Sequence, residues 1–263
     1  MKNNLVKSEL INTILHLTLN DQEHQNTLSD QMIIELDSKF KEASEDKKVK
    51  VIILSSTGKV FCAGHNLKDL NSKRTESDKG KGYYQKIFRS CSDLMINIIE
   101  NRKPIIAAID GIATAAGCQL IASCDLAYAS TRSQFATPGV NIGLFCSTPM
   151  VALSRTVSKK SAMEMLLTGE LINAKKAYEI GLINNFFNSE ELMNKVFEQA
   201  EKIGSKSMKT LKIGKKAFYK QREMSLEDAY SYTSSVMLEN MLEKDSEEGI
   251  KAFLEKRKPN WEN

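Results

Sequence analysis

Three short runs constrain this fold more than anything else in the chain: "VKVIILSS" (49–56), "PIIAAID" (104–110) and "LAYAS" (126–130). The first is a continuous β-branched run, as expected of a strand covered on both faces, and the second reads the same way. An earlier run, "TILHLTLND" (13–21), alternates Leu15, Leu17 and Leu19 and predicts another strand. Between them, "LSDQMIIELDSKFKEASED" (28–46) repeats apolar residues at helical spacing behind Ser29, a residue suited to cap its start. A further helix is predicted up to about Glu100. The stretch before it, "NSKRTESDKGKG" (71–82), is charged and holds two glycines, so it reads as a mobile surface loop or lid. Strands alternating with helices at this spacing predict an α/β architecture.

The chain changes character after about residue 187, from where nearly everything is amphipathic helix. We divide it into a core at 1–204 and a C-terminal helical region at 205–263. Ser225 with Asp228 and Asp245 with Glu248 have the spacing of capping boxes, and the stripe Met208, Leu211, Phe218 reads as core packing. Helices with so little core of their own are expected to pack on the main body or on a partner subunit.

Composition narrows the function classes. The chain has 263 residues, is 41% hydrophobic and 27% charged, and carries a net charge of +4, which gives nucleic-acid binding little support and suits an anionic small molecule. Five cysteines (Cys62, Cys91, Cys118, Cys124, Cys146) show none of the paired spacings of zinc sites. We expect free thiols in a reducing compartment, with neither signal peptide nor membrane span. The cytoplasm is the expected location, or the mitochondrial matrix for a eukaryotic chain.

Two turns share one design. "VFCAGHNLKDL" (60–70) leaves a buried strand through Ala63-Gly64 and enters a helix; "GIATAAGCQLIASCD" (111–125) does so through Ala115-Ala116-Gly117. Each offers free backbone N–H groups at a helix start, where partial positive charge gathers. Brought together, two such turns would hold an oxygen that becomes negative during a reaction. Small residues at strand–helix turns also serve plain packing, so each turn taken singly carries little.

These turns, with "FATPGVNIGL", "AMEMLLTGELINAKKAYEIGLIN" and "EGIKAFLEKRKPNW", resemble the crotonase superfamily of enoyl-CoA hydratases and isomerases along essentially the whole chain. The resemblance implies a spiral of ββα turns followed by a helical trimerisation region, assembled as a homotrimer or a dimer of trimers. It implies an acyl-CoA ligand, with coenzyme A part of the substrate, no separate cofactor and no metal. The thioester carbonyl would be held by the N–H groups of His65 and Ala116, beside Ala63 and Gly117. Asn66, Leu67 and Lys68 would run along the coenzyme, with Lys68 facing its phosphates. Phe253 and Lys256 would complete a neighbour's pocket.

The resemblance also shows what is missing. Hydratases of this family use two glutamates, and this chain has Gln119 and Gly139 in their places. Asn141 falls where the dienoyl-CoA isomerases carry an aspartate. An acid and a base are needed because water must lose a proton while Cα gains one, and each is worth roughly 10²–10⁴ in rate. The expected function is therefore acyl-CoA binding with carbonyl polarisation, of hydratase/isomerase type and with weak or atypical hydration. The alternative is a non-catalytic acyl-CoA-binding or regulatory protein. His65 and Cys146 are the remaining candidates for proton or covalent chemistry, and Asp69 and Asp110 are read as serving caps and turns.

Overall fold

A computed structural model describes residues 4–262. The hairpin β1 (Val6–Ile11) and β2 (Ile14–Leu19) leads through α1 (Asp30–Glu45) into a repeating unit. Each repeat contributes one longer strand and one three-residue strand. These are β3 (Val51–Ser56) with β4 (Val60–Cys62), then α2 (Leu67–Ser72) and α3 (Lys81–Glu100). Next come β5 (Ile105–Ile109) with β6 (Ile112–Thr114) and α4 (Ala116–Ser123), and then β7 (Leu126–Ser130) with β8 (Gln134–Ala136). The chain continues through α5 (Pro149–Thr156), α6 (Lys159–Thr168), β9 (Ile172–Asn173), α7 (Ala174–Glu179), β10 (Asn185–Phe187) and α8 (Ser189–Gly204). Three helices close it: α9 (Met208–Gln221), α10 (Leu226–Met241) and α11 (Lys244–Leu254).

The longer strands form one sheet in the order β1-β2-β3-β5-β7-β10, and the short ones a second in the order β4-β6-β8-β9. This is the α/β spiral with a C-terminal helical region that the sequence predicts. Val51, Ile52, Ile53 and Leu54 are all fully buried, because their two faces look into different cores. Val51 and Ile53 meet Leu192, Val196 and Ala200 of α8, whereas Ile52 and Leu54 face the main core with α1, α3 and α4. Ser29 caps α1 by accepting the Met32 N–H, and Ser225 caps α10 by accepting that of Asp228.

Three expectations change. Residues 71–82 are not one loop: they finish α2, form a 3-10 turn at Lys73–Thr75 and begin α3, whose Tyr84 hydroxyl donates to the Leu70 carbonyl at 2.8 Å. Asp245 caps nothing, since α11 starts one residue earlier behind Glu243. It is buried instead, accepting the Ser207 hydroxyl and the Glu262 N–H. Phe218 is 55% exposed rather than core. The positions of α9 that face the main body belong to Lys215 and Tyr219, which both reach Asp125.

Candidate active site cleft

Both small-residue turns come together at one cleft of about 790 Å³. The first follows β4 and is fixed from three sides. The Leu28 N–H donates to the Gly64 carbonyl at 2.8 Å, the Ala63 N–H donates to Gln25, and Thr114 Oγ1 donates to the Ala63 carbonyl at 3.1 Å. Gly64 has φ +86°, a conformation that a side chain strains. A carbon added to it would lie 3.0 Å from Ala115 Cβ and 3.2 Å from the Ala116 nitrogen. The two turns therefore approach as closely as backbone allows.

The second turn pivots on Ala115, at φ 50° and ψ −116°. A non-glycine residue there costs on the order of 1–3 kcal/mol, strain of a kind that collects at functional sites. Its N–H is tied to the Ala136 carbonyl at 2.9 Å, which leaves Ala116 as the first residue of α4. Among the described residues, the N–H groups of His65 and Ala116 have no hydrogen-bond partner within the chain. Both residues line the cleft.

Of the other expected contacts, Ala63, Asn66, Leu67, Lys68, Gly139 and Asn141 also line the cleft. Asn66 does so as the cap of α2, its side chain accepting the N–H groups of Lys68 and Asp69. Asn141 makes one long contact, 3.5 Å to the Gly169 carbonyl. Gly117 does not line the cleft. A Cβ on it would fall 2.2 Å from the Cys62 carbonyl oxygen, so its role is the close packing of α4 on β4. Gln119 is 4% exposed and does not line the cleft, with Oε1 buried and unpartnered. Phe253 (82% exposed) and Lys256 lie on the C-terminal region, away from their own chain's cleft.

Gly139, where the resemblance implies an acid in the hydratases, is covered by the chain beyond it. The chain forms a 3-10 turn at Pro138–Ile142, reverses at Gly143 (φ +74°) and returns along its own start, the Leu144 N–H donating to the Gly139 carbonyl at 2.9 Å. A Cβ on Gly139 would lie 2.6 Å from the Leu144 carbonyl oxygen and 2.9 Å from Cys146 Sγ. Main chain and sulfur fill the room that a side chain would need.

The two candidates for proton or covalent chemistry, His65 and Cys146, are both placed as packing residues. The His65 ring turns toward the protein: Nδ1 is 3.1 Å from the Leu28 carbonyl and the ring packs edge-on against Phe88 at 5.5 Å. Nε2 is buried without a partner, and burial lowers the pKa, disfavouring the protonated ring. Cys146 is 6% exposed and burial pushes its thiol up, the opposite of an activated nucleophile. Asp110 accepts Arg132 at 2.6 Å and Ser189 at 3.1 Å, a structural pairing. All five cysteines are free and buried. Among the described residues, no group of three or more His, Cys, Asp or Glu could hold a metal ion, and no helix is long and apolar enough to cross a membrane.

The sequence reading missed the mouth of the cleft. His24 and Thr27 line it, in a loop pinned by Asn26, which donates to the carbonyls of Thr57 (2.9 Å) and Val60 (2.7 Å). The His24 ring pairs with Asp21 at 2.8 Å, which raises its pKa. Polar loop residues without periodicity give no signal of this kind, although Asn26 between strand and helix hinted at a built turn.

A family model described as enoyl-CoA hydratase/isomerase matches residues 9–263. The Xenopus laevis protein named enoyl-CoA hydratase domain-containing protein 3, mitochondrial, is 46% identical over 248 residues, covering 94% of this chain and 83% of its own. The crystal structure of the human enoyl Coenzyme A hydratase domain-containing protein 3 superposes with a TM-score of 0.92 at 43% identity, covering 98% of this chain and all of that one. An enoyl-CoA hydratase structure from Mycobacterium smegmatis gives 0.93 at 42% identity, over 98% and 99% of the two chains. The chain belongs to the enoyl-CoA hydratase/isomerase family.

Proposed function

We propose that the cleft binds an acyl-CoA thioester and polarises its carbonyl between the N–H groups of His65 and Ala116. The observation that carries this is the pair of unpartnered N–H groups in two turns that touch at Gly64. One such donor is worth roughly 10²–10³ in rate where charge develops on oxygen. Ala63 and Ala116 let the thioester reach the backbone, and Lys68 and His24 line the cleft where they can meet the coenzyme's phosphates.

Water addition by two carboxylates is outside this chain's means. Gln119 is a neutral and largely buried amide, Gly139 is covered by Leu144 and Cys146, and Asn141 has no acid to offer. Among the described residues, the only carboxylate lining the cleft is that of Glu23. The reading is thus an acyl-CoA-binding member of the family with little hydratase activity. The lack of a carboxylate at 119 and at 139 favours binding or regulation over turnover.

Assembly through the C-terminal region, as a homotrimer or a dimer of trimers, is supported by its exposed apolar side chains, among them Leu242 at 79% and Phe253 at 82%. In such an assembly Phe253 and Lys256 would meet a neighbour's cleft. The mitochondrial names of relatives such as the frog protein favour the matrix over the cytoplasm for a eukaryotic chain.

Calorimetric titration with free coenzyme A and a saturated acyl-CoA, beside a hydration assay on 2-enoyl-CoA substrates, tests the reading. It predicts tighter binding of the thioester and no hydration at enzyme-like rates. Equal binding of thioester and free coenzyme, or rapid hydration, contradicts it.

A further inference from the structure

The wall of the cleft beside Gly139 is made of backbone. In most cleft walls a side chain at such a position would project inward and set the shape of the pocket. Here the chain beyond it does so. Pro138 fixes the start of the 3-10 turn, Gly143 reverses it in the left-handed region, and Leu144 returns to hydrogen-bond the Gly139 carbonyl at 2.9 Å. Cys146 closes the loop with its sulfur held against Gly139, itself 6% exposed. Leu144 and Phe145 then stand on the cleft wall, 50% and 42% exposed.

Resting on the acyl-CoA reading, we propose that Gly139 is a specificity-determining residue: its missing side chain lets the Leu144–Cys146 segment fold onto the wall, and that segment sets which acyl tails the cleft accepts. Two observations support it. Any side chain at 139 must displace main chain, because the nearest obstruction is the Leu144 carbonyl oxygen at 2.6 Å and not a flexible side-chain end. The displaced segment is itself cleft lining, so the displacement changes the pocket and not merely the packing behind it. Carbonyl binding sits on other elements, at the starts of α2 and α4. Tail selection is thereby separable from binding of the coenzyme.

The experiment is a titration of the wild-type chain, Gly139→Ala and Leu144→Ala with free coenzyme A and with butyryl-, octanoyl- and palmitoyl-CoA. The proposal predicts that free coenzyme binds all three proteins alike. Gly139→Ala changes the ratio of butyryl to palmitoyl affinity by about tenfold, since a single methylene in an apolar pocket is worth that much. Leu144→Ala, which trims the wall without touching the Gly139 contact, shifts preference toward the longer tails. It keeps the test open if Gly139→Ala does not fold. An unchanged tail profile in Leu144→Ala, or an equal loss of every ligand in Gly139→Ala, overturns this proposal alone. Failure of the wild type to bind any of the acyl-CoAs overturns the acyl-CoA reading as well.

Discussion

The Lys215 ammonium lies 2.7 Å from Asp125 Oδ2 and anchors α9 to the residue that joins α4 to β7. Lys215 is 9% exposed, and its other protons go to the carbonyls of Ile98 (3.1 Å) and Lys103 (3.0 Å). Asp125 also accepts the Ile105 N–H at 2.7 Å and the Tyr219 hydroxyl at 3.0 Å. The helical region is thus held by a saturated polar knot beside the helix that carries Ala116.

Removing one partner of such a pair leaves the other buried and uncompensated, at a cost of about 3–5 kcal/mol. Lys215→Met is expected to lower the urea midpoint accordingly at fixed protein concentration. A loss below about 1 kcal/mol would mark the pair as an exposed surface bridge, contrary to its burial.

Glycines at two positions should respond in opposite directions. Gly117→Ala drives a carbon into the Cys62 carbonyl oxygen at 2.2 Å and should cost about 1–3 kcal/mol, the usual range for overpacking. Gly214 sits inside α9 with nothing within 4 Å of a built Cβ, so Gly214→Ala should stabilise by about 0.4–1 kcal/mol. Thermal unfolding of both variants checks the pair.

His65 and His16 should weaken the fold on mild acidification, against an opposite contribution from His24, whose pKa is raised. Burial lowers the pKa of both His65 and His16, whose Nε2 lies 2.7 Å from Ser55 Oγ. Below the ordinary histidine value of 6.5 the unfolded chain takes up protons that the folded chain refuses. The stability these two rings contribute is therefore complete above that pH and is lost as pH falls from 6.5 toward the lowered native values. His65→Gln should flatten the slope of urea midpoint against pH in that window; an unchanged slope would show that its ring is solvated.

Placing carboxylates at 119 and 139 should not confer hydration. A Gln119→Glu/Gly139→Glu double variant is expected to remain inactive on 2-enoyl-CoA substrates. The second side chain meets the Leu144 carbonyl and must dislodge the wall before it can serve as an acid. Hydration by this variant above the wild-type level would show that the wall yields freely.

Much of this was legible in the sequence because it rests on local chemistry. The continuous run Val51–Leu54 announced a strand buried on two faces, Ser29 and Ser225 announced their helices, and Ala63-Gly64 and Ala115-Ala116 announced bare backbone at helix starts. The three-residue strands β4, β6 and β8 are too short to show a period of two, so periodicity did not reveal the second sheet and only the resemblance implied paired strands. Asp245 misled because its partner Ser207 lies 38 positions away. Phe218 misled because a polar anchor, not the apolar stripe, decides which side of α9 faces inward. Gly139 could be seen as lacking an acid but not as covered, since its obstruction is a backbone oxygen returned by the turn at Gly143.

The central claim is that the thioester carbonyl sits between the His65 and Ala116 N–H groups, and its stretching frequency reads this directly. An acyl-CoA labelled with carbon-13 at the thioester would be compared free in buffer, bound to the wild type, and bound to Ala116→Val. The account predicts a lower frequency in the wild-type complex than in solution, with the shift reduced in the variant. A bound carbonyl at the solution frequency would contradict it.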